Sequence, residues 1–284
     1  MSEPLATTPS DPLATTPSDP LATTPSDPTG TDPVPGFWDP LRTTTPSRIG
    51  LNRTGDAVTT RHLLEFRAAH AAARDAVHEP LDVPALAAAL TAVGLGEPAV
   101  VTSRAAGRSE YLRRPDFGRR PAALDPLEPL PRGRDIGVVL ADGLSARAMA
   151  EHGAPLLQAL VEAFAGRWSV APPVIATQAR VALGDHIGTA LGVGTLLVII
   201  GERPGLSVAD SLGIYLTQAP RAGLTDADRN CISNIHPPGG LGYAEAARVT
   251  VGLIEGARAL GRSGVTLKDT SRPELDGNAR SALD

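Results

Sequence analysis

The stretch GTLLVIIG, residues 194–201, is the strongest strand signal in the chain. Its interior is a continuous run of leucine, valine and isoleucine with glycine at each end, which is typical of a strand buried on both faces. DIGVVLADG, residues 135–143, and PPVIATQARV, residues 172–181, indicate two more strands. Helical patterns separate these strands, so the sequence predicts an α/β fold with a Rossmann-like, doubly wound parallel sheet.

Helices are predicted between and after these strands. One begins after Ser145, which is placed to cap it, and we expect Gly153 and Pro155 to break it before a second helix continues. ALGDHIGTALG, residues 182–192, predicts a short helix. YAEAARVTVGLIEGARALG, residues 243–261, predicts a long helix with one apolar face.

The chain ahead of the strands is predicted to be mainly helical over residues 46–120. Residues 60–78 carry an apolar stripe at helical spacing, and residues 82–94 form a second helix with Asp82 at its capping position. The stripe consists of Leu63, Phe66, His70, Ala73 and Val77. Residues 121–134 are rich in proline and predict a linker to a sheet domain over residues 135–265.

The two ends of the chain are predicted to be tails, over residues 1–45 and 266–284. Residues 3–28 repeat an octapeptide, EPLATTPS and then DPLATTPS twice, before ending in DP. A unit with two prolines and one leucine buries too little apolar area to offset its ordering entropy, so we expect disorder there. The repeat is either inert or a docking segment whose contacts would be Leu5, Leu13 and Leu21.

The composition excludes several classes of protein. A net charge of −5 provides no global basic footprint, which argues against a nucleic-acid binder. The apolar runs are too short to span a bilayer, and the N-terminus lacks the pattern of a signal peptide. One cysteine cannot form an internal disulfide. We therefore expect a soluble cytoplasmic protein.

Two strand-end loops carry polar side chains where α/β sheets bind ligands. Asp142 follows one predicted strand, and Glu202 with Arg203 follows another. A carboxylate at this edge is placed to accept hydrogen bonds from a polar ligand. The alternative is structural, with Asp142 in a turn and Glu202 paired with a surface arginine.

The single cysteine, Cys231, lies in TDADRNCISNIHPPGG, residues 225–240. Thr225 with Asp228 resembles a helix start, which would place Cys231 in the second helical turn. A catalytic thiolate needs a nearby base, and His236 is the neighbour in sequence. The alternative is a small buried apolar residue.

Nucleotide and metal motifs are weak. The glycines of GVG, residues 192–194, precede a strand, whereas a dinucleotide fingerprint follows one, so NAD and FAD are not predicted. His62, His70 and His78 recur every eight residues and do not converge on one side of a helix. We predict no metal site.

Several unusual strings, in one order over residues 47–265, resemble the small subunit of ethanolamine ammonia-lyase. They are SRIGLNRTGD, LLEFRAAHAAARDAVH, SRAAGRSEYLRRPDFGRR, VVLADGLSA, GERPGLS and DRNCISNIHPPGG. The resemblance implies that residues 135–265 form a cobalamin-binding domain. It also implies that adenosylcobalamin lies at the interface with a large subunit, which carries the substrate-binding barrel.

The resemblance implies cofactor contacts at Val181, Glu202 and Cys231, and no catalytic acid or base in this chain. It implies a radical reaction that converts ethanolamine to acetaldehyde and ammonia in a hetero-oligomer. Many cobalamin enzymes bind cobalt through the histidine of a D-x-H-x-x-G motif. Here Asp185 and His186 are adjacent, so that spacing is absent, which fits the base-on binding mode of the family.

Two alternatives remain open from the residues alone. One is a thiol-dependent or nucleotide-linked α/β enzyme that acts without a partner and depends on Cys231. The other is a non-catalytic interaction or scaffold protein that uses the repeated tail. Whether the enzyme lies in a bacterial microcompartment, as in some relatives, is also open.

Overall fold

A computed structural model describes residues 36–51, 53–54 and 56–269 of the chain. Contacts divide the chain into one unit that ends at Gly50 and a larger unit that begins at Leu51. The first unit contains a short helix, α1 (Trp38–Arg42). The octapeptide repeat and most of both predicted tails lie outside the described residues.

The larger unit is built around a six-stranded mixed sheet. A separate antiparallel pair precedes it, β1 (Arg53–Thr54) with β2 (Ala57–Val58). The strands of the main sheet, in chain order, are β3 (Ala99–Thr102), β4 (Ile136–Ala141), β5 (Val174–Thr177), β6 (Thr195–Gly201), β7 (Leu212–Gln218) and β8 (Asn230–Ile235). Their spatial order is β3-β5-β4-β6-β7-β8.

The first four of these strands are parallel, and β7 and β8 are antiparallel to their neighbours. The predicted strands β4, β5 and β6 are confirmed. Three strands were not predicted from the sequence: β7, β8 and β3, the last of which lies in the region predicted to be mainly helical. A loop of ten residues, 202–211, joins β6 to β7 without a helix, and such a direct connection requires an antiparallel pair.

Helices cover both faces of the sheet. After α1, those in the described chain are α2 (Thr60–His78), α3 (Val83–Thr91), α4 (Arg108–Arg113), α5 (Pro115–Gly118), α6 (Ala146–Phe164), α7 (Leu183–Leu191) and α8 (Tyr243–Leu260). Helices α6 and α8 pack on one face, with α3 against α6, and α7 packs on the other face over β4 and β6. The coarse prediction of an α/β fold with a mostly parallel sheet is therefore confirmed.

Local helix signals are reproduced closely. Ser145 Oγ accepts the Ala148 N–H, and Asp82 Oδ1 accepts the Ala85 N–H, so both predicted caps are present. Helix α2 has its predicted bounds, but only Ala76 of it is buried, and most of its predicted apolar stripe does not pack into the core.

The predicted break at Gly153 and Pro155 was wrong, because α6 is continuous through both residues. A Cβ at Gly153 would lie 2.7 Å from Met149 Sδ, so glycine allows tight packing within the helix. Pro155 is exposed, and it leaves the carbonyl of exposed Glu151 without its helical donor. Burial of the apolar residues that follow outweighs a proline cost of about 3 kcal/mol. These are Leu156, Leu157, Leu160 and Phe164.

The proline-rich segment over residues 121–134 packs against the sheet. It contains a 3-10 turn, Asp125–Leu127, and Leu127 is buried in the apolar cluster on the α7 side. Strand β3 likewise belongs to the sheet. Both segments contribute to the compact unit, while the division of the chain into separate domains stays a prediction.

The helix predicted after Thr225 was also wrong. Thr225 and Asp228 do form a capping box, but it caps only a 3-10 turn, Asp226–Asp228. Arg229 is extended, and β8 begins at the next residue, so Cys231 lies on a strand. Ile232 and Ile235 both reach the core on the α6 and α8 side because the pairing of β8 with β7 has a bulge between them.

A buried ion pair joins α7 to the start of β8. Arg229 Nη1 and Nη2 donate to the two carboxylate oxygens of Asp185, each at 2.7 Å, and both side chains are about 1% exposed. The same guanidinium donates to Thr217 Oγ1 on β7 and to the Leu224 carbonyl. One arginine therefore connects a helix, a strand and a loop.

Replacing Arg229 with alanine should lower the free energy of unfolding by about 3–5 kcal/mol, because Asp185 would stay buried without its partner. Urea denaturation followed by circular dichroism measures the loss. The exposed pair Arg248–Glu245 provides the control, and Arg248→Ala should cost less than about 1 kcal/mol. Equal losses in the two variants would contradict a structural role for the buried pair.

Candidate functional site

The α7 side of β7 and β8 carries small and polar residues and is only partly covered, with Gly213 buried and Cys231 exposed. Gly213 and Tyr215 alternate with the core residues of β7 and point to this side, and Cys231 is paired with Tyr215 across the strands. Cys231 is exposed, and Tyr215 is half-buried. We call the surface formed by Gly213, Tyr215 and Cys231, together with the side chain of Glu202, the open face.

Glu202 lies directly after β6 and directs its carboxylate over the open face. Its Oε2 accepts hydrogen bonds from Ser211 Oγ at 2.7 Å and from the Asn234 N–H at 3.2 Å. A Cβ built on Gly213 would lie 3.0 Å from Glu202 Oε1, so the absence of a side chain there accommodates the carboxylate. No hydrogen bond reaches Oε1 from the described residues, which leaves this oxygen as an acceptor for a ligand.

Tyr215 and Cys231 are both neutral at physiological pH. Desolvation, and to a smaller extent the neighbouring Cys231 thiol, raises the pKa of Tyr215 to about 12. Partial burial also raises the pKa of the Cys231 thiol, the Tyr215 hydroxyl opposes this as a donor to the thiolate, and the charge of Glu202 adds to the rise. A raised pKa disfavours the thiolate that a catalytic nucleophile requires.

Val181 lies beside the open face, at the turn that leads into α7. It lines a cleft of about 590 Å³ that also contains Tyr215, so the cleft and the open face are continuous. The rest of the lining is Arg119, Arg120, Arg180, Ala182, Asp185, His186, Gly223, Leu224, Thr225 and Asp226. Glu202 and Cys231 therefore lie beside Tyr215, and Val181 lines the same cleft as Tyr215.

Asp142 is not part of this surface. It is 2% exposed, and its carboxylate accepts the backbone N–H groups of Gln178 at 2.8 Å and Ala179 at 3.0 Å. Arg108 Nη1 lies 3.7 Å from it. Burial raises the pKa of Asp142, and these hydrogen bonds oppose that effect. Asp142 thus connects the loops after β4 and β5, as the structural alternative for this residue proposed.

The histidines do not form a catalytic pair with Cys231. His236 is buried, and its Nε2 lies 2.9 Å from Asn234 Oδ1. The cross-strand neighbour of Cys231 is Tyr215, not a histidine. A stand-alone thiol enzyme would need a base at this position, so the geometry gives that alternative no support.

One group of potential metal ligands occurs among the described residues. One oxygen each of Glu151 and Asp210 and one ring nitrogen of His152 lie within 4.8 Å of one another. His152 Nδ1 is 2.7 Å from the Tyr243 hydroxyl, which joins α6 to α8. The group belongs to the α6 and α8 side of the sheet, away from the open face.

Among the described residues, none of the helices combines the length and the hydrophobicity that a membrane span requires.

The family model for the ethanolamine ammonia-lyase light chain matches residues 35–268. The chain belongs to this family. It is 65% identical to the ethanolamine ammonia-lyase small subunit of Rhodococcus erythropolis over 242 residues, which are 85% of this chain and 93% of that protein. The small subunit of Ralstonia nicotianae is 48% identical to this chain over 87% of its length. The small subunit of Rhodopseudomonas palustris is 51% identical over 84% of this chain, and each match covers 93% of the relative.

Two members of the open face in this ammonia-lyase subunit were missed by the sequence analysis. Gly213 and Tyr215 belong to β7, whose sequence LGIYLTQ alternates apolar residues with other types. That period-two pattern was the available signal. The partner of Asp185 carried no such signal, because Arg229 is 44 residues away along the chain.

The reactivity of Cys231 tests this electrostatic environment directly, because it is the chain's one cysteine. Alkylation by iodoacetamide should be slow near pH 7 and accelerate only at alkaline pH, since the thiol pKa is raised. Glu202→Gln should move the midpoint of the pH–rate profile to lower pH by removing a negative charge. Tyr215→Phe should move it to higher pH by removing a hydrogen bond to the thiolate. Shifts in the same direction would contradict the geometry.

Proposed function

We propose that this chain, as an ethanolamine ammonia-lyase small subunit, holds adenosylcobalamin on its open face at the interface with the large subunit. The reaction served is the radical deamination of ethanolamine to acetaldehyde and ammonia. The observation that carries the proposal is that three distant parts of the chain meet at Tyr215 and its cleft: Glu202 and Cys231 lie beside Tyr215, and Val181 lines the cleft with it.

The chemistry of the open face fits a corrin. The ring carries side-chain amides, whose N–H groups can donate to the free Oε1 of Glu202. Cys231 is small and exposed, so a flat macrocycle can approach β8 closely. Glu202 also follows β6 at the carboxyl edge of the parallel strands, where sheets of this kind bind ligands. Helices on both faces of these strands support a Rossmann-like class for the parallel half.

The residues of this chain would bind and orient the cofactor. When bound, adenosylcobalamin supplies the adenosyl radical chemistry that the amino acids cannot provide. Glu202 accepts hydrogen bonds through a carboxylate that Ser211 and the Asn234 backbone already hold in place. Tyr215 contributes a neutral hydroxyl. Cys231, its neighbour across the strands, contributes a neutral thiol. We assign no catalytic acid, base or metal ligand to this chain.

Exposed apolar side chains support a protein partner. Leu63, Leu64 and Phe66 of α2 are 39%, 58% and 43% exposed, and they lie within two turns of one helix. A group of this kind favours burial against another protein. The relatives are named small subunits, which implies a large subunit as that partner. We propose a cytoplasmic hetero-oligomer that binds neither nucleic acid nor a membrane. Its location inside a bacterial microcompartment is compatible with this proposal.

Gel filtration of the co-expressed subunits with adenosylcobalamin tests the proposal. We expect both chains and the corrinoid absorbance to elute together, and neither chain alone to retain the cofactor. Truncation of residues 1–35 should change neither result, whereas the scaffold alternative requires the repeated tail. A small subunit that elutes alone and without colour would overturn the proposal.

Glu202→Gln should weaken binding of adenosylcobalamin to the two-subunit complex by about tenfold, the effect of one charge-assisted hydrogen bond. Spectrophotometric titration measures the dissociation constant. Glu128→Gln is the matched control, because Glu128 is exposed and follows a turn that contacts β3, at the opposite end of the sheet from β8. In the wild-type complex the cofactor should also protect Cys231 from alkylation. Unchanged affinity together with an unprotected thiol would contradict contact at the open face.

A further inference from the structure

The cleft beside the open face has an excess of positive charge. Three arginines line it, Arg119, Arg120 and Arg180. Of its two carboxylates, Asp185 is already neutralised by the buried ion pair with Arg229. The other is Asp226, which is exposed. An anion that enters the cleft therefore meets three guanidinium groups and one uncompensated carboxylate.

The guanidinium groups of this cleft retain unused donors. Within the described part of the chain, the side chains of Arg119 and Arg120 take part in no hydrogen bond or salt bridge, and both residues are exposed. Arg180 Nε is buried without a partner. Buried donors in native proteins are nearly always satisfied, so this nitrogen is available to a ligand or to water, as are the buried unpartnered nitrogens of Arg108, Arg229 and Arg258 elsewhere in the described chain.

Arg180 is held in position by its surroundings. Its guanidinium stacks over the Tyr111 ring at 4.6 Å from the ring centre, and its backbone N–H donates to the Gly118 carbonyl at 2.8 Å. A Cβ on Gly118 would lie 2.9 Å from both side chains, so glycine permits this packing. Tyr111 is itself fully buried, with its hydroxyl bonded to the Ala179 carbonyl. A cation held this way costs little additional ordering when it binds an anion.

The position of the cleft relates it to the proposed cofactor surface. Val181 and Tyr215 line the cleft, and Tyr215 is also the centre of the open face. A ligand on the open face can therefore extend a substituent into the cleft without crossing a covered part of the sheet. Helix α7 begins next to Val181, and the positive end of its dipole adds to the field.

We propose that the cleft formed by Arg119, Arg120 and Arg180 binds the phosphodiester of the cobalamin nucleotide loop, an assignment that rests on the proposed function. The corrin ring would lie on the open face, and the loop would extend towards α7. Adenosylcobalamin carries one phosphodiester, and the planar fork of arginine donors matches its oxygens.

The experiment titrates the two-subunit complex with three ligands and measures each dissociation constant from the visible absorbance. Adenosylcobalamin carries the phosphodiester, adenosylcobinamide phosphate carries a terminal phosphate without the base, and adenosylcobinamide carries no phosphate. The variants are Arg119→Gln with Arg120→Gln, and separately Arg180→Lys, which keeps the charge but loses the fork. Arg132→Gln is the matched control, since Arg132 is exposed and does not line the cleft.

We expect the cleft variants to bind both phosphate-bearing corrinoids about tenfold more weakly and adenosylcobinamide as the wild type does. The control variant should bind all three ligands normally. If the cleft variants lose equal affinity for all three ligands, or lose affinity for none, the phosphate assignment is wrong. The proposed function still stands in that case, provided that the wild-type complex binds adenosylcobalamin.

Two further outcomes separate the possible failures. If the wild-type complex binds none of the three corrinoids, the proposed function fails and this inference fails with it. In the second outcome, the cleft variants separate from the large subunit on gel filtration, while the complexes that stay assembled bind corrinoids with wild-type affinity. In that case the arginines contact an acidic surface of the large subunit, and the phosphate assignment is wrong.

Discussion

The buried pair of Asp185 and Arg229 is the interaction on which the geometry of the site depends. Asp185 lies in the first turn of α7, soon after Val181, and Arg229 lies two residues before Cys231. The bidentate contact therefore sets the distance between two segments that carry proposed cofactor contacts. Removal of both charges from water is costly, and the cost is offset by the bidentate attraction together with the additional bonds to Thr217 and Leu224. Such a pair specifies one arrangement of α7 and β8 rather than several.

The change of strand direction after β6 creates the open face. The parallel strands β4 and β6 are covered on both sides, by α6 and by α7, as parallel sheets require. The antiparallel strands β7 and β8 need apolar cover on one side only, and α8 provides it. Their other side can remain accessible, and there the chain has a glycine, a tyrosine and a cysteine in place of core residues. A mixed sheet thus supplies a buried scaffold and the partly open surface on which we propose that the cofactor binds.

Asp142 and Glu202 show how the same position in a fold can take different roles. Each follows a parallel strand, and the crevice rule marks both as candidates. Asp142 is enclosed by Gln178, Ala179 and Arg108, and it satisfies donors of its own chain. Glu202 lies next to the wide loop to β7, so one of its oxygens remains free. Burial and the supply of local donors decide between the two roles, and neither is visible in the residue type.

The sequence by itself determined most of the local elements and the family, and it supplied one candidate site residue. Periodicity and caps identified β4, β5, β6, α2, α3, α7 and α8, because these signals depend on neighbours within a few residues. Glu202 followed from its position after a strand, while Val181 and Cys231 came from the family resemblance. Tertiary structure alone decided that α6 continues through Pro155, that Cys231 lies on an exposed strand beside Tyr215, and that Arg229 meets Asp185. Each of these depends on free energy gained from contacts between residues distant in the chain, which local patterns do not record.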